Sequence, residues 1–353
     1  MTQAAFIPGT ELARRYWHDV VAPIVDELLP GVPRAAARIG AGSDVLGFDT
    51  ERSTDHGWGP RVTVFFEDSL DLARDRRARL LESIDKRIPA VFLGYPTRFA
   101  PSDDSAARHQ VILTNVREWF TQALGFDPRG EITDADWLAA PAQLLLEATA
   151  GAVFEDGHGE LTIARERLTW YPNDVWLYLL GCQWRRIDQE EPFAGRAAEV
   201  GDDLGSSVIA ARLVRDVMRL CFLIERRYAP YTKWLGTAFN QLGSGPTLMP
   251  MLREALAAKT WHAREDALVP AYEHVARMFN ALGVTEPQEA EVRYFYNRPF
   301  RVLDSGRFVE ACMERTPLKR LGYKGGIDQF ADNTDVLSDA LTPRRLLQEF
   351  WLS

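Results

Sequence analysis

The chain has 353 residues, 41 of them Lys or Arg and 50 Asp or Glu, which leaves a net charge of −9. That excess of acid argues against a protein that lays a polyanion along a broad basic surface, so sequence-specific DNA binding is not expected. With 46% hydrophobic and 26% charged residues the composition is that of a globular protein folding by burial, and the length suits two domains better than one core.

Cys182, Cys221 and Cys312 are widely spaced and form no C-x-x-C pair, which supports neither a disulfide framework nor a cysteine zinc site. Reduced thiols and a cytoplasmic setting are expected. The start, MTQAAFIPGTELARRYW, lacks an apolar stretch behind a basic one, and no later run reaches ~18 apolar residues, so neither export nor a membrane partner is expected.

From Thr10 to Leu29, residues Leu12, Tyr16, Val20, Val21, Ile24, Val25 and Leu28 recur at helical spacing, with Thr10 placed to cap and Pro30 and Pro33 closing the exit. A short strand is expected at Ala35–Ile39, then the turn Gly40-Ala41-Gly42-Ser43, then a β-branched and aromatic strand at Arg61–Phe66. Leu70–Ile88 reads as a charged amphipathic helix, Ala90–Phe99 and His109–Val116 as strands, and Arg117–Leu124 as the start of another helix. Gly, Pro and Asp concentrate between Gly125 and Asp134, which marks a hinge. Long helices follow at Asp134–Phe154, Asp174–Ile187, Ser206–Tyr228, Thr247–Ala258 and Glu265–Leu282, with a strand near Phe300-Arg301-Val302. The expected fold class is α/β (α+β): a mixed sheet with flanking helices over residues 1–130, then a mainly helical domain over 131–353.

Between the first two strands, Gly42 to Arg61 reads GSDVLGFDTERSTDHGWGPR. A Gly-Ser turn leaving a strand can offer backbone N–H groups and a hydroxyl to phosphate oxygens, although a tight loop without ligand uses the same residues. Asp55, just before the next strand, can hold Mg²⁺ against a triphosphate or simply cap a turn. Gly-Ser followed by Ser/Thr-Asp-x-Asp and an apolar strand resembles the signature of the nucleotidyltransferase superfamily, which includes aminoglycoside and minimal nucleotidyltransferases. The chain looks like a member of an uncharacterised family within it. The likeness covers Gly42-Ser43, Thr54-Asp55 and Val62–Phe66, and departs at Gly57, which stands where the second Asp belongs.

Far downstream, Glu225–Leu235, which reads ERRYAPYTKWL, is similar to the helical domain of the aminoglycoside-type enzymes, where a Tyr-x-Pro-x-x-Lys-Trp-Leu segment lies beside the nucleotide. By that likeness Lys233 would contact phosphate and Tyr231 would line the nucleotide pocket. Independently of it, Arg212, Arg215, Arg219 and Arg226 share one helical face and Leu213, Val217, Leu220, Ile224 and Tyr228 another. The cationic face is either solvated, with local pairs such as Arg212 to Asp216, or turned to an anion.

Two-metal transfer normally uses three carboxylates. Asp55 supplies one and Gly57 none, and the strand His109–Val116 carries no acid. Asp44, Asp49, His56, Glu67 and Asp68 are the nearby groups able to compensate; strand alternation would put Asp55 and Gly57 on one side and His56 on the other. The six histidines form no H-x-H or H-E-x-x-H spacing, and no G-x-S-x-G elbow is present. The aromatic run Trp170–Tyr178 suits packing or stacking, and Asp328–Asp335 reads as a surface loop.

The resemblance implies a Mg²⁺-dependent protein that moves an NMP from an NTP, ATP by expectation, onto a hydroxyl of an unidentified acceptor. Gly42, Ser43, Arg61, Arg219, Tyr231 and Lys233 would lie on the nucleotide, and Asp55 would serve as catalytic metal ligand. The alternative is a nucleotide-binding or partner-binding module, sensor-like or antitoxin-like, that has lost catalysis.

Overall fold

The computed structural model describes residues 6–352 apart from 71–72 and 101–104. The chain divides into two compact units: Met1–Asp136, Gln143–Thr169 and Ser338–Arg344 form the first, and Trp137–Ala142, Trp170–Leu337 and Arg345–Ser353 the second. The division is not a single cut, because the chain leaves the first unit at Trp137 and Trp170 and returns at Gln143 and Ser338. The fold class is α+β, a mixed sheet followed by a largely helical C-terminal part.

The first unit is built on strands β1 (Arg34–Arg38), β2 (Arg61–Phe66), β3 (Val91–Phe92), β4 (Tyr95–Pro96), β5 (Arg98–Phe99), β6 (Arg108–Asn115) and β7 (Ala152–Asp156). Five of them make one sheet in the order β5-β6-β2-β1-β7, with β2 parallel to β6 and the other pairs antiparallel. The helix expected over Thr10–Leu29 forms as α1 (Gly9–Tyr16) and α2 (Ala22–Leu28), joined by a π turn at Trp17–Val21. Pro23 has no N–H to return to the preceding turn, and the wider turn ahead of it absorbs the mismatch. Thr10 is not the cap: Pro8 holds that position, and the Thr10 hydroxyl donates to the Asp44 carbonyl at 2.8 Å.

The charged helix shortens to α3 (Arg74–Asp85). The strand expected over Ala90–Phe99 breaks into β3, β4 and β5: Leu93 and Gly94, with φ of 48° and 90°, turn β3 back onto β4, and Thr97 separates β4 from β5. After β6, α4 (Val116–Leu124) starts at Asn115, whose side chain accepts from the Glu118 N–H, and ends at Gly125 with φ 80°. The long helix expected over Asp134–Phe154 is corrected most. Pro141 splits it into α5 (Asp134–Ala139) and α6 (Ala142–Thr149), and its end is the edge strand β7. At Gly151 (φ 70°) a Cβ would stand 2.0 Å from the Arg38 carbonyl oxygen, so only glycine lets the chain turn there onto β1. Helix α7 (Glu160–Arg167) follows.

Strand alternation then sets the two faces of the sheet. Val62, Val64, Phe66, Val111 and Leu113 bury against Tyr16, Trp17, Val21, Val25 and Ile84. The paired residues Arg61 and Gln110, Thr63 and Ile112, and Phe65 and Thr114 stand on the opposite face.

The second unit is helical: α8 (Asn173–Glu190), α9 (Phe193–Glu199), α10 (Asp203–Ile224), α11 (Thr232–Phe239), α12 (Gly245–Ala257), α13 (Trp261–Ala281), α14 (Gly306–Met313), α15 (Ile327–Phe330), α16 (Thr334–Leu337) and α17 (Thr342–Leu352), the last beginning within the first unit. A short hairpin pairs β8 (Arg293–Tyr294) with β9 (Arg301–Val302), where one strand was expected. Helix α8 is buried on every side from Val175 to Trp184 and packs on α10 and α14; Trp184 stacks on Phe308 at 4.5 Å and meets Phe279 edge-on at 5.8 Å. Cys182, Cys221 and Cys312 are free and buried, and burial pushes the thiols of Cys182 and Cys221 up to about 12. No helix among the described residues is long and apolar enough to cross a membrane.

Candidate functional site

In the first unit a cavity of about 770 Å³ opens on the polar face of β2 and β6. Arg61, Thr63, Gln110, Ile112 and Thr114 form its sheet wall, Glu118 and Trp119 of α4 and Glu147 of α6 another side, and Ser338–Leu341 closes it. Its volume falls within the range of about 300–1,000 Å³ usual for small-molecule sites. Ile112 is 51% exposed although its strand has neighbours on both sides, because the space above it is open.

Three guanidinium groups reach this wall, and they differ in their partners. Arg38, at the end of β1, is 5% exposed and pairs with the equally buried Asp44 through two bonds of 2.6 and 2.7 Å. Its remaining N–H groups donate to the carbonyls of Ile39 and Ala41. Arg77 forms a two-pronged pair with Glu118 at 2.7 Å. Arg61 has no carboxylate partner among the described residues: it donates to the Gly57 carbonyl and lies over the Phe99 ring at 5.0 Å. Burial, and then the charge of Arg38, pull its guanidinium down to about 10, so it remains charged at neutral pH. A desolvated cation facing a cavity is an electrostatic socket for an anion.

Glu147 adds the opposite element. Gln143 donates to it at 2.6 Å, yet burial dominates and raises its proton affinity. Neither Glu147 nor the Arg38–Asp44 pair was anticipated. The signal was a single acid inside the apolar run AQLLLEAT, and an arginine closing the otherwise alanine-rich strand RAAAR.

The residues of the Gly-Ser motif lie around this cavity unevenly. Gly40 and Ala41 line it, whereas Gly42, Ser43 and Asp55 are not among its lining residues. Gly42 (φ 147°) is required by packing, since a Cβ there would meet Arg38 Nη2 and Asp44 Oδ1 at 2.2 Å each. Ser43 opens a single turn, its carbonyl accepting from the Phe48 N–H at 2.8 Å. Asp55 is exposed and ends a 3-10 turn, Glu51–Asp55, so strand alternation does not apply to Asp55, His56 and Gly57. Gly57 has φ 56°, a conformation that glycine takes without steric cost.

The acids considered as compensation are engaged elsewhere. Asp44 holds Arg38; Asp49 accepts from the Gly9 N–H at 2.7 Å and from Trp58 at 3.2 Å; Asp68 pairs with Arg129 at 2.8 Å and Arg117 at 3.2 Å; Glu67 accepts from Ser69 at 3.1 Å. Among the described residues no group of three or more His, Cys, Asp or Glu is placed to hold a metal ion. This donor set does not form a resident metal site, so a divalent cation would have to enter with a phosphate ligand that supplies most of its oxygens.

In the second unit, Arg219 lies between two smaller cavities. One, of about 50 Å³, is walled by Trp137, Trp170, Tyr171 and Tyr228, whose rings pack on one another at 5.0–5.6 Å. The other, of about 160 Å³, is lined by Arg186, Arg212, Arg215 and Arg219 together with Asp328–Asp332. The last segment is thus a wall of that cavity, where a plain surface loop was expected. Arg212 pairs with Glu190 at 2.9 Å rather than with Asp216, which is buried and held by Arg186 and Gln183. Arg226 leaves the stripe because α10 ends at Ile224; it takes φ 53° and lies over Trp176 at 4.2 Å. Tyr231 is half-buried at the start of α11, and Lys233 is exposed beside Trp234 at 5.1 Å; neither lines these cavities.

Residues 137–235 match a domain of unknown function (DUF4037), less than half of the chain. The match takes in Arg219, Tyr231 and Lys233 but not the Gly-Ser motif. No curated protein and no solved structure matches the chain.

Proposed function

We propose that the first unit binds a nucleoside triphosphate, ATP in the first instance, in the cavity on β2 and β6, with phosphate on Arg61. One observation carries this reading: a charged, half-buried guanidinium without a carboxylate partner on the wall of a nucleotide-sized cavity. The side chains of Thr63, Gln110 and Thr114 supply further polar contacts on the same wall, and Trp119 supplies a ring. By its resemblance to the nucleotidyltransferases, the protein moves an NMP from the NTP onto a hydroxyl of a small molecule or macromolecule: the hydroxyl oxygen bonds the α-phosphorus and gives up its proton, the α–β anhydride bond breaks, and pyrophosphate leaves. Mg²⁺ would arrive with the triphosphate, which supplies most of its ligands, and Asp55 is the carboxylate the motif offers to it. Glu147, on the same cavity, holds its proton more tightly than an ordinary carboxyl because it is buried, and is the group placed to exchange a proton with a bound hydroxyl.

A second reading, in which nucleotide is bound but not turned over, is favoured by Gly57 in place of the second acid and by the lack of a three-carboxylate group among the described residues. Calorimetric titration with ATP tests the nucleotide binding that both readings share, and transfer of label from radiolabelled ATP to an acceptor separates them. Arg61→Ala should weaken affinity about 10- to 100-fold, the worth of a charge-assisted bond to phosphate, and should flatten its salt dependence. Arg61→Lys should recover part of the loss. Failure of the wild type to bind ATP with or without Mg²⁺, or equal affinity in Arg61→Ala, overturns the proposal.

A further inference from the structure

The arginine-walled cavity of the second unit is not used by the reading above. Arg186, Arg212, Arg215 and Arg219 converge there from α8 and α10, facing the segment Asp328–Asp332. Two of the four are fixed within the helices: Arg186 on the buried Asp216 and Arg212 on Glu190. The other two are held differently. Among the described residues Arg215 pairs with Asp332, whose side chain is 70% exposed, so its partner belongs to solvent as much as to the fold. Arg219 donates to the backbone carbonyl of Asp328, and its Nε is buried with no hydrogen-bond partner. A planar guanidinium with a donor left over, beside a second one whose partner can turn outward, is the arrangement that receives a tetrahedral oxyanion through paired N–H bonds.

We propose that this cavity is a phosphoryl-binding site in which Arg215 and Arg219 hold the anion and Asp332 occupies the place of the anion when no ligand is bound. The surrounding acids set its selectivity. Asp216 and Glu190 are already committed to Arg186 and Arg212, and the Asp328 carboxyl, which accepts from the Ala142 N–H at 2.8 Å, offsets part of the charge of Arg219, so the ligand gains its charge compensation chiefly from Arg215 with Arg219 beside it. Displacing Asp332 exchanges an exposed pair of small worth for bonds to a group carrying more charge and more acceptors. The volume of about 160 Å³ admits a phosphate or diphosphate but not a whole nucleotide in that cavity. The proposal does not rest on the cavity of the first unit.

The test is calorimetric titration of the full chain with inorganic phosphate, pyrophosphate and a simple alkyl phosphate at low ionic strength. Arg215→Ala is expected to weaken phosphate binding at least ~10-fold. Asp332→Asn is expected to tighten it about two- to fivefold by removing the internal competitor. The Arg215→Ala loss should persist in an Arg61→Ala background, from which phosphate binding at the first unit has been removed. Binding of the alkyl phosphate in preference to free phosphate marks the ligand as a phosphoryl group on a larger molecule; the reverse order marks the free ion. Arg215 is the variant of choice because its bonds among the described residues are to an exposed side chain, and circular dichroism checks that the fold persists. Absence of binding in the wild type, or equal binding in Arg215→Ala, overturns the proposal. Loss of phosphate binding in Arg61→Ala alone also overturns it and leaves the reading of the first unit standing.

Discussion

Gly42→Ala tests whether the Gly-Ser turn is shaped by the fold or by a ligand. Two costs follow from the structure. The new Cβ would meet Arg38 Nη2 and Asp44 Oδ1 at 2.2 Å each, a distance that real Cβ contacts do not show, so one side of a buried ion pair must move. Uncoupling such a pair costs about 3–5 kcal/mol when a charge is left unmatched. The backbone at φ 147° adds about 1–3 kcal/mol for a residue with a Cβ. Because the pair can shift without separating fully, the expected total is about 3–5 kcal/mol, a fall in Tm on the order of 10 °C at ~2–4 °C per kcal/mol. The assay is thermal unfolding without ligand. In an Arg38→Met, Asp44→Leu background the clash with the ions is gone, and Gly42→Ala should then cost only the backbone contribution, about 1–3 kcal/mol. A Tm within about 2 °C of wild type, or an equal cost in both backgrounds, refutes the packing explanation and returns Gly42 to a role in ligand approach.

Glu191 gives a prediction in pH. Burial pushes its carboxyl up to about 7 despite bonds from the Leu303 and Ser305 N–H groups. Its folded-state pKa lies above the ordinary 4.5, so its contribution is fully present below pH 4.5 and is lost as pH rises through 7, a decline of about 3 kcal/mol at most. Chemical denaturation from pH 4.5 to 8 should show that slope in the wild type and a flatter one in Glu191→Gln; equal slopes would sink the assignment. Asp55→Ala, at an exposed position, should change stability by less than about 0.5 kcal/mol. The same substitution should abolish Mg²⁺-dependent transfer of label from radiolabelled ATP; transfer at the wild-type rate would remove Asp55 from the catalytic reading.

The sheet was legible in the sequence where strands are self-declaring. Arg61–Phe66 and the neighbouring parallel strand are β-branched and apolar, and both form within a residue of their expected bounds. The edge strand β7 was not legible, because Ala152–Asp156 owes its extended form to pairing with β1 and to the left-handed Gly151, neither visible in a local window. The same limit applies at the site. The spacing of Arg212, Arg215 and Arg219 showed that they share a face, but only the tertiary structure shows Asp328–Asp332 laid against them. Arg38 and Asp44 were readable as charges and not as a buried pair, since burial depends on what the fold places over them.

The carboxylates around the Gly-Ser turn sort by the work they do for the fold. Asp44 neutralises a buried arginine, Asp49 ties the start of α1 to Trp58, and Asp68 joins two arginines; each is accounted for by a bond it would be costly to leave unmade. Asp55 makes no such bond, and Arg61, a few residues on, is the one cavity arginine that no carboxylate satisfies among the described residues. Folding alone favours pairing or removing a half-buried charge, so an unpaired arginine retained on a cavity wall is best explained by an anion that completes it. The functional weight of the motif therefore shifts, on the proposed reading, from the glycine and serine, which shape the turn, to Arg61.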